Sequence, residues 1–299
     1  MTVFTDNPAE YFDGDSVAAH RLGAADLEGL QLAALRARFD ALRARLPPLS
    51  ALADMQGIDA IDRIEDIAPL LFPHSIYKSY PEALLLAGDY AAMTRWLARL
   101  TVNDLAAIAG RHFPTMDAWL DAIDGATAVD MYHSSGTTGR LSFYPRGKQE
   151  VAAQFEHAAM TVAEWFDPPL FRHGDWPLSV IWPAQAFGRS MILRTGQLYR
   201  MLVTETPDDF HPLLPVPLSS DYHYHVLRTR NLLAASQHFG PVASDYVNAR
   251  LDEADRIKAE MPQHIERLLD VIESRRGVRR IMIAGGPVNI HNLASAGLE

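Results

Sequence analysis

The pattern that most restricts the fold of this chain is an alternation of helical segments with single short apolar strands. A helical stripe over residues 27–46 is followed by Pro47 and Pro48, which we expect to end it, and further helical patterns cover about 82–99, 103–122 and 148–166. Short apolar segments follow at 178–182 and in VRRIMI (278–283), the second after a helical pattern over about 262–275 that ends at Gly277. This alternation predicts an α/β fold with mixed or parallel sheets covered by helices.

Two stretches are interrupted by proline. Residues 49–81 contain prolines at 69, 73 and 81 and are predicted to be a connector, and residues 204–222 contain four prolines and are predicted to be an irregular excursion. At 299 residues the chain is long enough for a sizeable core. We therefore expect a helical lead-in and connector over 1–122 and an α/β core over 123–299, joined in one continuous domain.

Composition excludes several classes of protein. The net charge of −10 argues against a nucleic-acid partner, because such proteins carry a basic surplus on at least one face. The absence of cysteine excludes disulfides, thiolate metal sites and a thiol nucleophile within these residues. The N-terminus lacks the basic start and apolar core of a signal peptide, and no eighteen apolar residues run together, so a cytoplasmic protein without a membrane span is expected.

The stretch MYHSSGTTGRLSFY (131–144) is the most informative for function. It has the pattern of a strand, a tight loop and a second strand. Backbone N–H groups and hydroxyls in such a loop can surround an anion, and its glycines permit a close approach, although a purely structural hairpin would have the same composition. The ordinary nucleotide P-loop is excluded, because the Gly147–Lys148 pair is followed by Gln149.

The sequence resembles the adenylate-forming superfamily of acyl-CoA synthetases and luciferases. SSGTTG (134–139) is similar to the phosphate-binding loop of that superfamily. The segments LEGLQLAALRARFDALRARLP and MQGIDAIDRIEDIAPLLFPHSIYKSYP resemble the N-terminal lead-in of phenylacetate–CoA ligase-like proteins and of the acyl-protein synthetases of bacterial luminescence. The likeness runs from about residue 29 to the end.

The resemblance implies the N-terminal domain of the adenylating-enzyme fold, without its small mobile C-terminal domain. It implies ATP- and Mg²⁺-dependent activation of an aryl or fatty carboxylic acid to an acyl-adenylate, for transfer to CoA or to the phosphopantetheine thiol of an acyl carrier protein. No catalytic side chain is assigned and no oligomeric state is predicted. The predicted ATP contacts are Ser134, Ser135, Gly136, Thr137, Thr138, Gly139, Arg140, Gly285, Gly286 and Pro287, with Thr137 and Thr138 also contacting Mg²⁺; the predicted acyl-site residues are Phe187 and Gly188.

His133 stands directly before the loop and has two interpretations. It can donate a hydrogen bond to a phosphate or to the acyl carboxylate, and it is therefore a candidate substrate contact. A strand histidine can equally be a packed residue with satisfied hydrogen bonds.

Three departures from the family pattern matter. Leu141 and Ser142 stand where family members have proline and lysine, so Arg140 or Arg146 would have to supply the positive charge. The histidine common in the family's acyl-site segment is replaced by Ala-Gln-Ala before Phe187. The family's later motifs do not occur, which leaves two alternatives: the N-terminal part of a longer enzyme, or a reduced relative that binds nucleotide or acyl group without turnover.

A metal site is a weaker possibility. The run Tyr222-His223-Tyr224-His225 would place two histidines on one side of an extended segment, with His211 nearby. Without cysteine or a suitably spaced carboxylate, a polar strand face is the preferred interpretation.

Overall fold

The computed structural model describes residues 3–134, 140–164, 178–204, 206–234 and 241–297. The chain divides into two compact units: unit 1 contains Met1–Met131 and Phe143–Arg172, and unit 2 contains Tyr132–Ser142 and His173–Glu299. Helices and two sheets are both present, which confirms the α/β prediction at that level. No helix in the described ranges is both long enough and apolar enough to cross a membrane.

Unit 1 consists of helices and a two-stranded sheet. The sheet pairs β1 (Val129–His133), of which Val129–Met131 belong to this unit, with β2 (Phe143–Gly147), and Lys148 N donates to Ala128 O at 2.9 Å beyond one end of the pair. Its helices are α1 (Val3–Asp6), α2 (Pro8–Tyr11), α3 (Ser16–His20), α4 (Ala24–Arg43), α5 (Pro47–Gln56), α6 (Glu82–Leu86), α7 (Tyr90–Leu97), α8 (Met116–Ala126) and α9 (Lys148–Ala163).

The apolar stripe predicted for the first long helix is confirmed. Phe39 of α4 is buried in one cluster with Leu49 and Ala53 of α5, and Leu32, Leu35, Leu42 and Leu46 pack against that cluster. A second centre lies at Trp119 of α8, whose ring stacks on Tyr90 at 5.4 Å between centroids and whose Nε1 donates to Thr94 Oγ1 at 2.9 Å. The spacing of apolar residues along these helices thus produces their burial.

Three helix boundaries in unit 1 were predicted wrongly. Pro47 and Pro48 do follow the first long helix, but they begin α5, because the first helical position needs no N–H donor. The predicted helix over 82–99 is two helices, separated at Gly88, which has φ 65°, and Asp89, whose carboxylate caps α7. The next helix begins at Met116, much later than 103, because Thr115 caps it there.

Unit 2 is built on a three-stranded parallel sheet with strand order β4-β3-β5. The strands are β3 (Leu178–Phe187), β4 (Phe210–Pro217) and β5 (Arg280–Ile283). The helices are α10 (Met191–Leu198), α11 (Ser220–Ala234), α12 (Pro241–Arg275) and α13 (Pro287–Ala296), and a π-helical turn at Tyr199–Val203 extends α10. Ile181 of the central strand is buried between Leu268 of α12 and Leu293 of α13.

The structure corrects two predictions in unit 2. Residues 204–222 are not an irregular excursion: β4 forms there despite Pro212, Pro215 and Pro217, because it lies at an edge of the three-stranded sheet, where missing N–H donors are tolerated. The helix predicted over 262–275 is the end of α12, which begins at Pro241 and contains Pro262. The strand predicted in VRRIMI is confirmed as β5, and the glycine predicted to end the preceding helix has φ 74°.

Candidate functional site

The carboxyl edge of the parallel sheet in unit 2 collects the beginnings of three helices. Each strand of that sheet is followed within a few residues by a helix: β3 by α10, β4 by α11 and β5 by α13. The carboxyl ends of parallel strands meet at one edge of a sheet, and ligands of open α/β sheets bind there. Helix N-termini at such an edge present backbone N–H groups and the positive end of the helix dipole, which favour an anion.

The residues that flank the SSGTTG loop lie at this edge of the sheet. His133 N donates to Arg189 O at 2.9 Å, and His133 forms an isolated parallel bridge with Ser190, the residue that precedes α10. Ser134 N donates to Ser142 O at 2.9 Å, and Ser142 N donates to Ser134 Oγ at 2.9 Å. We call His133, Ser134 and Ser142 the loop neck. The neck closes the two ends of the loop on each other and fixes them beside the end of β3.

His133 links the loop neck to the start of α11. Its side chain is buried, with Nδ1 2.8 Å from Ser134 O and Nε2 3.1 Å from Ser220 Oγ. Because a carbonyl oxygen can only accept, Nδ1 donates to it, which leaves Nε2 to share a hydrogen bond with the Ser220 hydroxyl. The ring also stacks on His223 of α11, with centroids 5.8 Å apart. The packed and hydrogen-bonded interpretation of His133 therefore describes this structure, while its contact with a substrate stays a prediction.

The loop itself lies outside the described residues. The predicted phosphate contacts Ser135, Gly136, Thr137, Thr138 and Gly139 fall in this gap, as does the predicted Mg²⁺ contact through the two threonines. Ser134 is described, and its hydroxyl oxygen accepts from the opposite side of the neck.

Phe187 and Gly188, predicted to line the acyl site, lie at the end of β3 and directly after it. The guanidinium carbon of Arg200 lies 4.9 Å from the centroid of the Phe187 ring, and Phe187 is half-buried. A Cβ atom at Gly188 would collide with the Leu193 Cδ1 methyl and lie 3.4 Å from Leu193 Cβ and Leu218 Cβ, so a larger residue requires the leucine side chain to move. This crowding is a packing reason for the glycine that involves no ligand, and the role of both residues in acyl binding stays a prediction.

Gly285, Gly286 and Pro287 lie at the same edge as the loop neck. Ala284 N donates to Ile181 O at 3.1 Å, which extends the pairing of β5 with β3 to the residue before the first glycine. A Cβ atom at Gly285 would lie 3.1 Å from Pro183 Cγ, whereas Gly286 has open space where its side chain would be. Gly286 precedes α13, and Pro287 is its first residue. The predicted wall of the nucleotide and acyl pocket is thus part of the carboxyl edge of the sheet.

The two arginines proposed to replace the family lysine differ in their surroundings. Arg146 forms an ion pair with Glu150, with NH2 2.5 Å from Oε1, and also donates to Gln154. Arg140 belongs to unit 2, is half-buried and stands two residues before Ser142 of the loop neck. Because Arg140 directly follows the loop and Arg146 is held by Glu150, Arg140 is the better candidate for a phosphate contact.

The metal hypothesis for the histidine run loses its geometric basis. His223 and His225 lie on α11 and not on an extended segment, and helical residues two positions apart do not share a face. His211 lies on β4, where burial, reinforced by the positive charge of Arg275, lowers the pKa of its imidazole. Among the residues that the structure describes, no group of three or more His, Asp or Glu side chains could hold a metal ion.

Ser190, Ser219 and Ser220 contribute to the edge of the sheet but were not singled out from the sequence. Ser219 Oγ accepts from Tyr222 N at 3.1 Å, which is the bond of a helix cap. The Ser-Ser-Asp run was therefore a usable signal for the start of α11.

Searches of protein-family models, of curated proteins and of solved structures found no match to this chain.

Proposed function

We propose that this chain binds ATP with Mg²⁺ and activates an aryl or fatty carboxylic acid as its acyl-adenylate. In this reaction the substrate carboxylate attacks the α-phosphate, the bond to the β-phosphate breaks, and pyrophosphate leaves. The observation that carries the proposal is the position of the loop neck, which is hydrogen-bonded to the chain directly after β3, at the edge where three helices begin. We further propose CoA or a carrier-protein thiol as the acyl acceptor, since the chain contains no cysteine of its own.

The chemistry suits a site of fixed hydrogen-bond donors. Adenylate formation asks the protein for little covalent work, so positioning of the two reactants and stabilisation of charge at the phosphorus supply most of the rate enhancement. The loop offers the backbone N–H groups of Gly136 and Gly139, and its hydroxyl oxygens suit Mg²⁺, which prefers oxygen ligands. Arg140 adds a guanidinium that can bind a phosphate through two hydrogen bonds.

The loop neck supports this assignment through rigidity. Donors stabilise a transition state best when they need no reorganisation at the moment of reaction. Two hydrogen bonds close the neck, and the buried pair His133–Ser220 ties it to α11. A loop held at both ends in this way can keep its donors directed at one point.

The direct test is exchange of labelled pyrophosphate into ATP, measured with single acids from an aryl and fatty panel. We expect exchange that depends on one class of acid and on Mg²⁺. Gly136→Val should abolish the exchange, because a side chain there blocks the close approach of phosphate. The matched control is Gly29→Val on α4, where a Cβ atom meets no heavy atom within 4 Å. Equal exchange in both variants would contradict the assignment of the loop.

A second candidate function is nucleotide or acyl binding without turnover. It is favoured by Leu141 and Ser142, which stand at the loop in place of the family's proline and lysine, and by the engagement of the Ser142 backbone in the neck. Binding of ATP·Mg²⁺ without acid-dependent exchange would select this candidate.

A further inference from the structure

Unit 1 contains a cavity that shares no residue with the site described above. Its volume is about 380 Å³, and it is lined by the start of α5, the 3₁₀ segment His74–Lys78 and the end of α7. This volume lies in the lower part of the range typical of small-molecule pockets. Every residue that lines it belongs to unit 1.

The walls of the cavity are apolar, and their polar groups are already used. Pro47 and Pro48 form one side and carry no backbone N–H. Ser79 Oγ donates to Ile76 O at 2.8 Å and accepts from Trp96 Nε1 at 3.0 Å, so the hydrogens of that hydroxyl and that indole are satisfied inside the protein. The Trp96 ring is held edge-on against Tyr80, with centroids 5.1 Å apart. The walls therefore offer flat apolar surfaces and few hydrogen bonds to a ligand.

Arg99 is the exception on this surface. It lines the cavity and is exposed, and within the described part of the chain its guanidinium forms no hydrogen bond or ion pair. The chain carries ten more acidic than basic side chains, yet no carboxylate of the described residues pairs with this arginine. An apolar cavity with one uncompensated cation is complementary to an apolar molecule with one negative charge.

We propose that this cavity is a binding site for a small apolar monocarboxylate. The apolar body packs against the Pro47 and Pro48 rings and the Trp96 indole, and the carboxylate accepts hydrogen bonds from Arg99. A neutral molecule of the same shape leaves the guanidinium without a ligand partner and binds less tightly. The proposal needs neither ATP nor the SSGTTG loop, so it holds or fails independently of the proposed function.

The test uses 2-naphthoate and its neutral counterpart 2-naphthamide, titrated into the full chain without ATP and measured by calorimetry. We expect naphthoate to bind with a Kd of about 1 mM or below, a value typical of so small a ligand. We expect the amide to bind about fivefold more weakly, which is the size of an ion pair at an exposed site. Arg99→Gln should remove this preference. Arg95→Gln, one helical turn earlier on α7 and also exposed, should retain it.

A second variant tests the position of the apolar body. Ala51 lines the cavity and is exposed, so Ala51→Trp should fill the space and abolish binding of both probes while the chain stays folded. Absence of naphthoate binding to the wild-type chain would overturn the proposal. Binding that is unchanged by both Arg99→Gln and Ala51→Trp would overturn it too, and would place the acid elsewhere, for example at the adenylation site of unit 2.

Discussion

Replacing Gly196 by alanine would drive a methyl group into a buried indole ring. Gly196 lies on α10, and a Cβ atom there would stand 2.6 Å from Trp182 Cε2 and 2.8 Å from Cζ2. The Trp182 side chain is fully buried on β3, and its Nε1 donates to Gln185 O at 3.0 Å. The ring therefore cannot turn away without losing that bond, and α10 must shift on the sheet instead.

The magnitude follows from two opposing effects. Alanine is favoured over glycine inside a helix by about 1 kcal/mol. Overpacking of a well-filled core costs about 1–3 kcal/mol, and a rigid aromatic ring closer than 3 Å favours the upper end. We therefore expect Gly196→Ala to lower the free energy of unfolding by about 2 kcal/mol. At Gly29 on α4 nothing stands within 4 Å, so Gly29→Ala should raise it by about 1 kcal/mol.

Urea denaturation followed by circular dichroism measures both changes. We expect the changes in unfolding free energy to have opposite signs. Both variants gain helix propensity, but only Gly196→Ala introduces crowding. A Gly196→Ala variant as stable as the wild-type chain would show that α10 does not pack on Trp182 as described. Because α10 directly follows the residues that hold the loop neck, that result would also remove support for the site.

Three further predictions concern the edge of the sheet in unit 2. Ser220→Ala should lower the free energy of unfolding by about 1–3 kcal/mol, because it leaves the buried Nε2 of His133 without its serine partner. A thermal unfolding midpoint within about 1 °C of wild type would contradict this. Arg140→Ala should weaken ATP binding and Arg146→Ala should not, since Arg140 directly follows the SSGTTG loop and Arg146 is paired with Glu150; calorimetry showing the reverse order would show that the phosphate contact has been assigned to the wrong arginine. The lowered pKa of His211 means that the unfolded chain takes up its proton first, so stability from this residue is complete above the ordinary value of 6.5 and falls as the pH drops below it. In denaturation measured from pH 7.5 to about 5, His211→Gln should therefore lose less stability than wild type, and parallel curves would refute the assignment.

Local patterns predicted the fold well where one face of an element is buried. The stripe of α4 was identified because Phe39 and its neighbours recur at helical spacing, and β5 because a short apolar run follows a glycine. Both patterns are visible within one short stretch of sequence, although the contacts that bury these residues come from other elements.

Predictions based on proline and histidine were wrong where the structure around these residues is set by tertiary contacts. Pro212 is compatible with a strand only because β4 lies at the edge of its sheet, which no local pattern reveals. His223 was expected on an extended segment, whereas α11 begins three residues earlier. Pairing of β4 with β3 joins residues about thirty positions apart, so the sheet that decides both cases is assembled only in three dimensions.

The place of the candidate site residues in the fold was predictable only in part. The composition of the loop and the resemblance for Gly285 and Gly286 gave a phosphate site that stays a prediction, and the structure adds that both segments lie at the carboxyl edge of one sheet. The bond from Ser220 to His133 joins residues 87 positions apart and could not be read from spacing. The crowding at Gly188 gives a packing reason for a glycine that was assigned to the acyl pocket.

The most direct measurement is thermal unfolding of the chain with ATP·Mg²⁺ and with non-hydrolysable aryl and fatty acyl-adenylate mimics, in wild type and in Gly136→Val. A ligand at about a hundred times its Kd adds roughly 2.7 kcal/mol to the unfolding free energy, which raises the midpoint by several degrees. We predict such a shift with ATP·Mg²⁺, a larger one with the mimic of one acid class, and neither in the variant. Equal shifts in wild type and Gly136→Val, or no shift with any of these ligands, would contradict a nucleotide site at the SSGTTG loop.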